Sequence, residues 1–357
     1  MPSASQVIMC AAGGGKTTRI VSQAIAETSS RLALVTYTRN NESEIERKFH
    51  QHVPCIPARV EVMTWFTFLL RELARPYRPV LHNHRIAGIH WEEGRSVPYV
   101  PQANTAAHYF AGDGHIYSDK ISKFICECDR RSGGAVVRRL AQRFDQIFID
   151  EIQDMAGYDL DMLELIMKGG LKLSMVGDHR QATLRTNQAK KNAAFAGSNI
   201  IKKFQQWEKD GLAVLSYEQH TYRCHQHIAD LGDSFFPKEP LTKSLNTTTT
   251  GHDGVFIVSS AQVATYVSMF APQVLRLDKK TSCHDLPAMN FGESKGLTFD
   301  RVLIFPHGLG RKWLSTGVLA HIEKSVAKMY VGTTRARYSL AFVFDGVASI
   351  PGVKVHS

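Results

Sequence analysis

The run Cys10-Ala11-Ala12-Gly13-Gly14-Gly15-Lys16-Thr17-Thr18 follows the apolar Val7-Ile8-Met9 and precedes Arg19-Ile20-Val21. A buried strand, a glycine-rich turn and a helix in that order constrain the fold more than any other feature of the chain. The turn is a phosphate cradle only if a sheet aims it, because glycine N–H groups and a helix N-terminus must converge on one anion. Ala12, Gly13, Gly14, Gly15, Lys16, Thr17 and Thr18 are the expected cradle. Lys16 is expected to reach the β/γ-phosphates, and the Thr17 hydroxyl to hold Mg²⁺. Cys10 stands where the strict G-x-x-x-x-G-K-[ST] pattern has its first glycine, and three consecutive glycines before Lys16 compensate in part.

The rest of the chain supplies the sheets. Short β-branched or aromatic runs are candidate strands at 6–10, 32–37, 60–63, 146–149, 171–176, 213–217, 254–258, 274–277, 301–305 and 340–344, the last taken as the final strand. Helical stretches lie between them, which predicts an α/β chain with two parallel sheets covered on both faces. Its 357 residues fit two domains and a small third, and 43% hydrophobic content is enough for packed cores. No run of apolar residues reaches membrane-spanning length and no signal pattern opens the chain. A cytoplasmic protein without a membrane partner is expected. The +10 net charge fits either plain solubility or a polyanionic partner. Cysteines 10, 55, 126, 128, 224 and 283 lack metal-ligand spacing and are expected as free thiols.

The stretch from Pro76 to Leu140 reads as an insertion into the first sheet. It carries Pro76, Pro79, Pro98 and Pro101, the aromatics Trp91, Tyr99, Tyr109, Phe110 and Tyr117, and the basic pairs Arg130-Arg131 and Arg138-Arg139. Rings interleaved with arginines suit a nucleic-acid surface. They suit equally a small insert with its own aromatic core.

A second nucleotide element is Phe148-Ile149-Asp150-Glu151-Ile152-Gln153-Asp154. An apolar strand ending in two acids places Asp150 by the Mg²⁺ shell and leaves Glu151 to polarise the attacking water. Between it and the phosphate loop stand Val35-Thr36-Tyr37-Thr38-Arg39-Asn40 and Val62-Met63-Thr64-Trp65-Phe66-Thr67-Phe68, and after it Val176-Gly177-Asp178-His179-Arg180-Gln181. Later come Tyr222-Arg223, Gly292-Glu293-Ser294-Lys295-Gly296-Leu297-Thr298-Phe299-Asp300 and Tyr330-Val331-Gly332-Thr333-Thr334-Arg335-Ala336-Arg337. Together and in chain order they resemble the motifs of the UvrD/Rep-type superfamily 1 DNA helicases. The chain looks like a compact form without the large second accessory domain.

The resemblance implies two RecA-like P-loop domains with a small inserted accessory domain. The first core would span 1–75 and 141–212, the insertion 76–140 and the second core 213–357. It implies ATP and Mg²⁺ as cofactors, with Lys16, Asp150, Glu151, Gln181, Arg223 and Arg335 as the hydrolytic residues. Gln181 would sense the γ-phosphate, and the two arginines would stabilise the transferring phosphoryl group. Tyr222 would stack on adenine, with Gly296 also in the nucleotide site. Tyr37, Arg39, Asn40, Thr64, Trp65, Phe66 and Ser294 would contact single-stranded DNA. Implied partners are single-stranded DNA and its junctions with duplex, together with a nuclease, recombination or replication protein, in a bacterial cell or a phage-infected host.

Four departures qualify this. The family's adenine-reading glutamine precedes its P-loop, where this sequence has too few residues. Leu184 and Thr186 replace a Tyr and a Trp that stack on bases. Gly292 replaces a histidine. The interval from Arg223 to Lys295 is too short for a domain. No nuclease domain is expected after Arg337. The leading expectation is an ATP-dependent single-stranded-DNA translocase and helicase, with 3′→5′ polarity favoured. The alternative is a nucleic-acid-responsive ATPase that gates a separate nuclease or recombination partner. An RNA helicase is a third reading.

Overall fold

A computed structural model describes residues 5–356, which divide into two compact units. The first comprises the chain up to Met9 with Lys16–Tyr217, and the second comprises Cys10–Gly15 with Glu218 onward. Both are built on a six-stranded sheet.

In the first sheet the strands are β1 (Ser5–Cys10), β2 (Leu32–Thr36), β3 (Val60–Thr64), β4 (Gln146–Ile149), β5 (Lys172–Gly177) and β6 (Ala213–Glu218), in the order β3-β2-β4-β5-β1-β6. Central β2 is buried at all five positions, as an apolar run in a sheet covered on both faces must be. Edge strand β3 instead carries Glu61, paired with Arg71 and Arg143, and edge strand β6 has only Ala213 buried. The sequence reading starts the second core at residue 213, whereas β6 completes the first sheet.

Around this sheet lie α1 (Lys16–Ala26), α2 (Arg39–His50), α3 (Ile121–Arg131) and α4 (Tyr158–Lys168). Helix α3 comes from the insertion and turns Ile121, Phe124, Ile125 and Cys128 into the same core as Leu160, Leu163 and Ile147. Tyr109, Phe110 and Tyr117, read from sequence as surface aromatics, are buried too, while Trp91 and Tyr99 are exposed. Both sequence-based alternatives therefore need amending. The insertion has an aromatic core, and that core is continuous with the sheet's.

The second sheet contains β7 (Gly254–Val258), β8 (Gln273–Arg276), β9 (Ala288–Asn290), β10 (Phe299–Phe305), β11 (Ala336–Val343) and β12 (Val353–Val355), all parallel, in the order β9-β8-β10-β11-β7-β12. Alternate residues separate onto its two faces. Val255, Ile257, Val302, Ile304, Leu340 and Phe342 pack with Trp313 and Met329. Phe256, Val258, Leu303, Phe305, Ala341 and Val343 pack with Tyr266. The sequence reading ends the sheet at 340–344, but β12 adds an outer strand along Val255–Ile257. That short segment alternates weakly and carries no apolar run that would mark it. Among the described residues no helix is long and apolar enough to cross a membrane.

One buried carboxyl ties the insertion to the first core: the Ser122 hydroxyl donates to Asp159 at the start of α4. Burial pushes Asp159 from 3.8 up to about 6, even with hydrogen bonds that lower it. The unfolded chain then loses this proton first, so the group's contribution to stability falls as pH rises from about 4 to about 6 and is flat above. Asp159→Asn is expected to lose that decline. Urea unfolding across this window should show the wild type falling relative to the variant by about 3 kcal/mol.

Candidate nucleotide-binding site

Strand register places the chemistry of the first unit on one edge. Met9 pairs with Gly177, Met175 with Ile149, Ile149 with Val35, and Thr36 with Thr64. The segments leaving β1, β5, β4, β2 and β3 therefore all emerge at the carboxyl ends of parallel strands, where open α/β sheets bind ligands.

At this edge the Thr17 hydroxyl donates to Asp150 Oδ2 at 2.9 Å, and the Glu151 N–H donates to Asp150 Oδ1 at 2.9 Å. Lys16 Nζ lies 4.0 Å from Glu151 Oε1. Asp150 is fully buried. Burial first, and then the Glu151 charge, push its carboxyl well above the usual carboxylate range, against the pull of Lys16 and Thr17. This donor set fits Mg²⁺. A hydroxyl and a carboxylate are the hard oxygens that the ion takes, and two adjacent ligands of an octahedron with bonds of about 2.0–2.1 Å stand about 2.9 Å apart. Bound there, Mg²⁺ would neutralise phosphate charge and relieve the buried carboxylate.

Glu151 has a left-handed backbone, φ 58°, uncommon outside glycine and frequent where a side chain must be aimed. The aim is fixed by Gln153, a residue to which sequence reasoning gave no role. Gln153 Nε2 donates to the Glu151 carboxylate, and Gln153 Oε1 accepts the Asp178 N–H at 3.0 Å. A side chain on Gly177 would collide with Gln153 Oε1, so the glycine ending β5 makes room for this bridge. Beyond it, Asp178 Oδ1 accepts Arg180 Nε at 3.1 Å, and Asp178 Oδ2 accepts Gln181 Nε2 at 2.8 Å. Burial works to raise Asp178, but Arg180, Lys16 and His179 outweigh it and hold the carboxyl down at about 2. Gln181 thus joins Glu151 through Asp178 and Gln153.

The glycine loop is seated in the second unit. Thr221 Oγ1 donates to the Ala12 carbonyl at 2.7 Å, Tyr222 N–H to the Gly13 carbonyl at 3.0 Å, and Ala11 N–H to the Glu218 carbonyl at 2.9 Å. Gly13 has φ 74°, and a Cβ there would stand 2.5 Å from Arg223 Cβ, so only glycine fits. The Tyr222 ring is 64% exposed and lies beside Gly15. Arg223 donates to the Thr334 carbonyl at 3.1 Å. Arg335 is buried, its guanidinium donating to the carbonyls of Val331 at 3.0 Å and Leu297 at 3.2 Å. Gly296 lies exposed next to Leu297 with φ 86°. Ser294, expected on nucleic acid, is fully buried, and its hydroxyl closes a turn on the Phe291 carbonyl at 2.8 Å.

Among the expected strand contacts, Arg39 and Asn40 are exposed at the start of α2, capped by Thr38. Tyr37 and Thr64 are half-buried. Trp65 is fully buried, which corrects its reading as a base platform. It opens the helical turn Trp65–Phe68 capped by Thr64, and residues three apart share a helix face. Trp65 and Phe68 therefore stack together in the core at 5.7 Å, while Phe66 turns outward to Tyr37 at 6.1 Å. Leu184 is partly exposed. Thr186 is buried, bracing the acidic turn through its N–H to the Asp154 carbonyl at 2.9 Å and its hydroxyl, which accepts the Ala156 N–H at 3.1 Å.

Residues 117–196 match the family model of the UvrD/REP helicase N-terminal domain, a segment that includes Asp150–Asp154 and Asp178–Gln181. No curated protein matches the chain. Among solved structures, the arterivirus nonstructural protein 10 helicase aligns at 14% identity and TM-score 0.49, covering 95% of this chain and 59% of that one. The PRRSV helicase aligns at 14% identity and TM-score 0.47, covering 98% and 55%. The arterivirus helicase in complex with DNA aligns at 14% identity and TM-score 0.49, covering 95% and 60%. The chain therefore spans less than two thirds of each of these proteins. The matched segment is similar to the N-terminal domain of UvrD/REP helicases.

The Gln153 bridge has a direct test. Gln153→Ala frees the Glu151 carboxylate, and Gly177→Ala pushes the amide away from it. With Glu151 as the base that the resemblance implies, each is expected to lower nucleoside-triphosphate turnover by roughly 10²-fold, the lower end of a misplaced base's effect. Nucleotide affinity, read by fluorescent-analogue titration, should hold.

Proposed function

We propose that this chain is an ATP-driven motor on single-stranded DNA, a translocase and helicase built on the UvrD/Rep-type pattern. The observation that carries the reading is the convergence of Lys16, Thr17, Asp150 and Glu151 at one sheet edge, with Thr17 Oγ1 on Asp150 at 2.9 Å. In this reading Ala12 to Thr18 hold the phosphates, and Thr17 and Asp150 hold Mg²⁺. Glu151 accepts a proton from the attacking water, and Gln181 responds to the γ-phosphate through Asp178. Arg223 and Arg335 stabilise the charge of the transferring phosphoryl group, and the exposed Tyr222 ring takes the adenine. Arg39, Asn40, Thr64 and Tyr37 line the path of the strand, and movement runs 3′→5′.

A second reading has specific support. Leu184 and Thr186 stand where the family has two stacking rings, and Trp65 is buried, so three base platforms are missing. Stacking is worth about 1–3 kcal/mol per base, and losing three platforms weakens the grip on a strand. A nucleic-acid-responsive ATPase that gates a partner nuclease or recombination protein would need less grip than a processive motor.

ATP hydrolysis by the wild type is expected to rise with single-stranded DNA and to vanish in Lys16→Ala. No stimulation by DNA or RNA would sink both readings. Unwinding of a 3′-tailed but not a 5′-tailed duplex supports the motor, whereas hydrolysis without unwinding supports the gating ATPase. Strand binding should weaken with salt at a log–log slope near −3.5 if about five phosphates are contacted.

The two arginines should behave differently. Arg335→Ala strips donors from two backbone carbonyls inside the second unit. It should cost about 3 kcal/mol in urea unfolding as well as abolish turnover. Arg223→Ala should abolish turnover at a cost nearer 1 kcal/mol. Equal stability losses would show that the burial of Arg335 contributes nothing to the fold.

A further inference from the structure

The chain has four tryptophans, of which Trp65, Trp207 and Trp313 are sealed in the cores and Trp91 is 65% exposed. Trp91 does not project at random. It meets Phe66 edge to face at a centroid distance of 4.7 Å and 79°, and Phe66 meets Tyr37 at 6.1 Å. Three separate segments thus contribute one row of rings: the end of β2, the turn after β3, and the insertion. The Thr36–Thr64 register sets the first two side by side.

The insertion holds the third in place from both sides. Ile89–His90 pairs with Ile116–Tyr117, and Glu92 N–H donates to Ser118 Oγ at 3.2 Å. A ring fixed this way loses little freedom on binding, the condition under which an aromatic surface gains most affinity. Its charge surroundings indicate which part of a ligand it meets. Glu92 and Glu93 are exposed beside it and repel phosphates, whereas Arg39 and Asn40 lie exposed just past Tyr37.

We propose that Trp91 is a base-stacking platform for single-stranded nucleic acid, DNA or RNA, set at the outer end of the Tyr37–Phe66–Trp91 row. An unpaired base lies against the exposed indole face, and the phosphates run on the Arg39 side, away from Glu92 and Glu93. The inference rests on the proposed strand-binding function and adds a contact from the insertion that substitutes for rings missing at 65, 184 and 186.

Intrinsic fluorescence tests this, because Trp91 is the accessible emitter. Oligothymidylate and oligouridylate are titrated into the full-length wild type, Trp91→Phe, Trp91→Ala and Arg39→Ala, and affinity is read independently by anisotropy of a labelled strand. Wild-type emission is expected to be quenched on binding, with the quench lost in Trp91→Phe. Trp91→Ala should bind roughly 5- to 150-fold more weakly, the range for one stacked base. Its salt slope should not change, whereas Arg39→Ala should lower the slope by about 0.7, as loss of one phosphate contact requires. Preference for one oligonucleotide identifies the strand type and supports the platform either way. Wild-type affinity in Trp91→Ala, or quenching that survives Trp91→Phe, overturns the platform while leaving strand binding intact. Absence of binding by the wild type overturns strand binding and the platform together.

Discussion

The first unit is organised around keeping the carboxylate of Asp150 buried at the end of β4. Removing an ion from water costs several kcal/mol even after relaxation, so such a group persists only where other groups compensate. Here the compensation comes from the Thr17 hydroxyl, the Glu151 N–H and the positive charge of Lys16, and it is partial, since burial and the Glu151 charge still raise the carboxyl. Two of these come from the start of α1, far in sequence from Asp150, and the third from the residue that follows Asp150. Only the parallel register running through β1, β5 and β4 brings them to the same level. Shifting one strand by a residue would turn its side chains to the other face and leave the carboxylate alone.

The same register explains why small residues gather at these strand ends. Gly177 ends β5 because Gln153 crosses there to join the Glu151 carboxylate to the Asp178 turn. Gly13 has no side chain because Arg223 occupies the space a Cβ would need. In both places a backbone carrying phosphate-site chemistry is approached closely by a side chain that organises it. Glycine is needed for the contact as much as for the turn. The left-handed Glu151 follows from the same crowding: the chain must reverse at once to send Gln153 back under β5.

Much of this was legible in the sequence, for physical reasons that also mark where legibility ends. Fully buried parallel strands read as apolar runs, so β1, β2, β4 and β7 were visible, as were the phosphate loop and the Asp150-Glu151 pair. Edge strands carry no such signal. The sequence pattern gives no sign of strand β12 and places β6 at the start of the next core. Buried polar bridges were hidden too, because Gln153, Asp178 and Thr186 owe their roles to partners brought close by folding. The aromatic insertion misled differently: Tyr109 and Phe110 sit among polar residues in sequence yet fill the first core through α3 and Phe124. A helix face could have separated Trp65 from Phe66. The Thr64 cap starts a turn, and three-residue spacing then pairs Trp65 with Phe68 inward.

That spacing has a consequence for how this chain can hold a strand. Once Trp65 is committed to the core, the one ring of the turn directed outward is Phe66, and it is nearly covered by Tyr37 and Trp91. Leu184 offers no aromatic face, and Thr186 is tied to the acidic turn. A stacking surface at this edge must therefore be supplied from outside the sheet, and the insertion reaches that place. The insertion shares its core with the sheet through α3, so Trp91 belongs to the same compact unit as Tyr37, Asp150 and Glu151. Compactness and grip are then compatible. Through that shared core the insertion can present a ring beside the first sheet's edge without a large domain of its own.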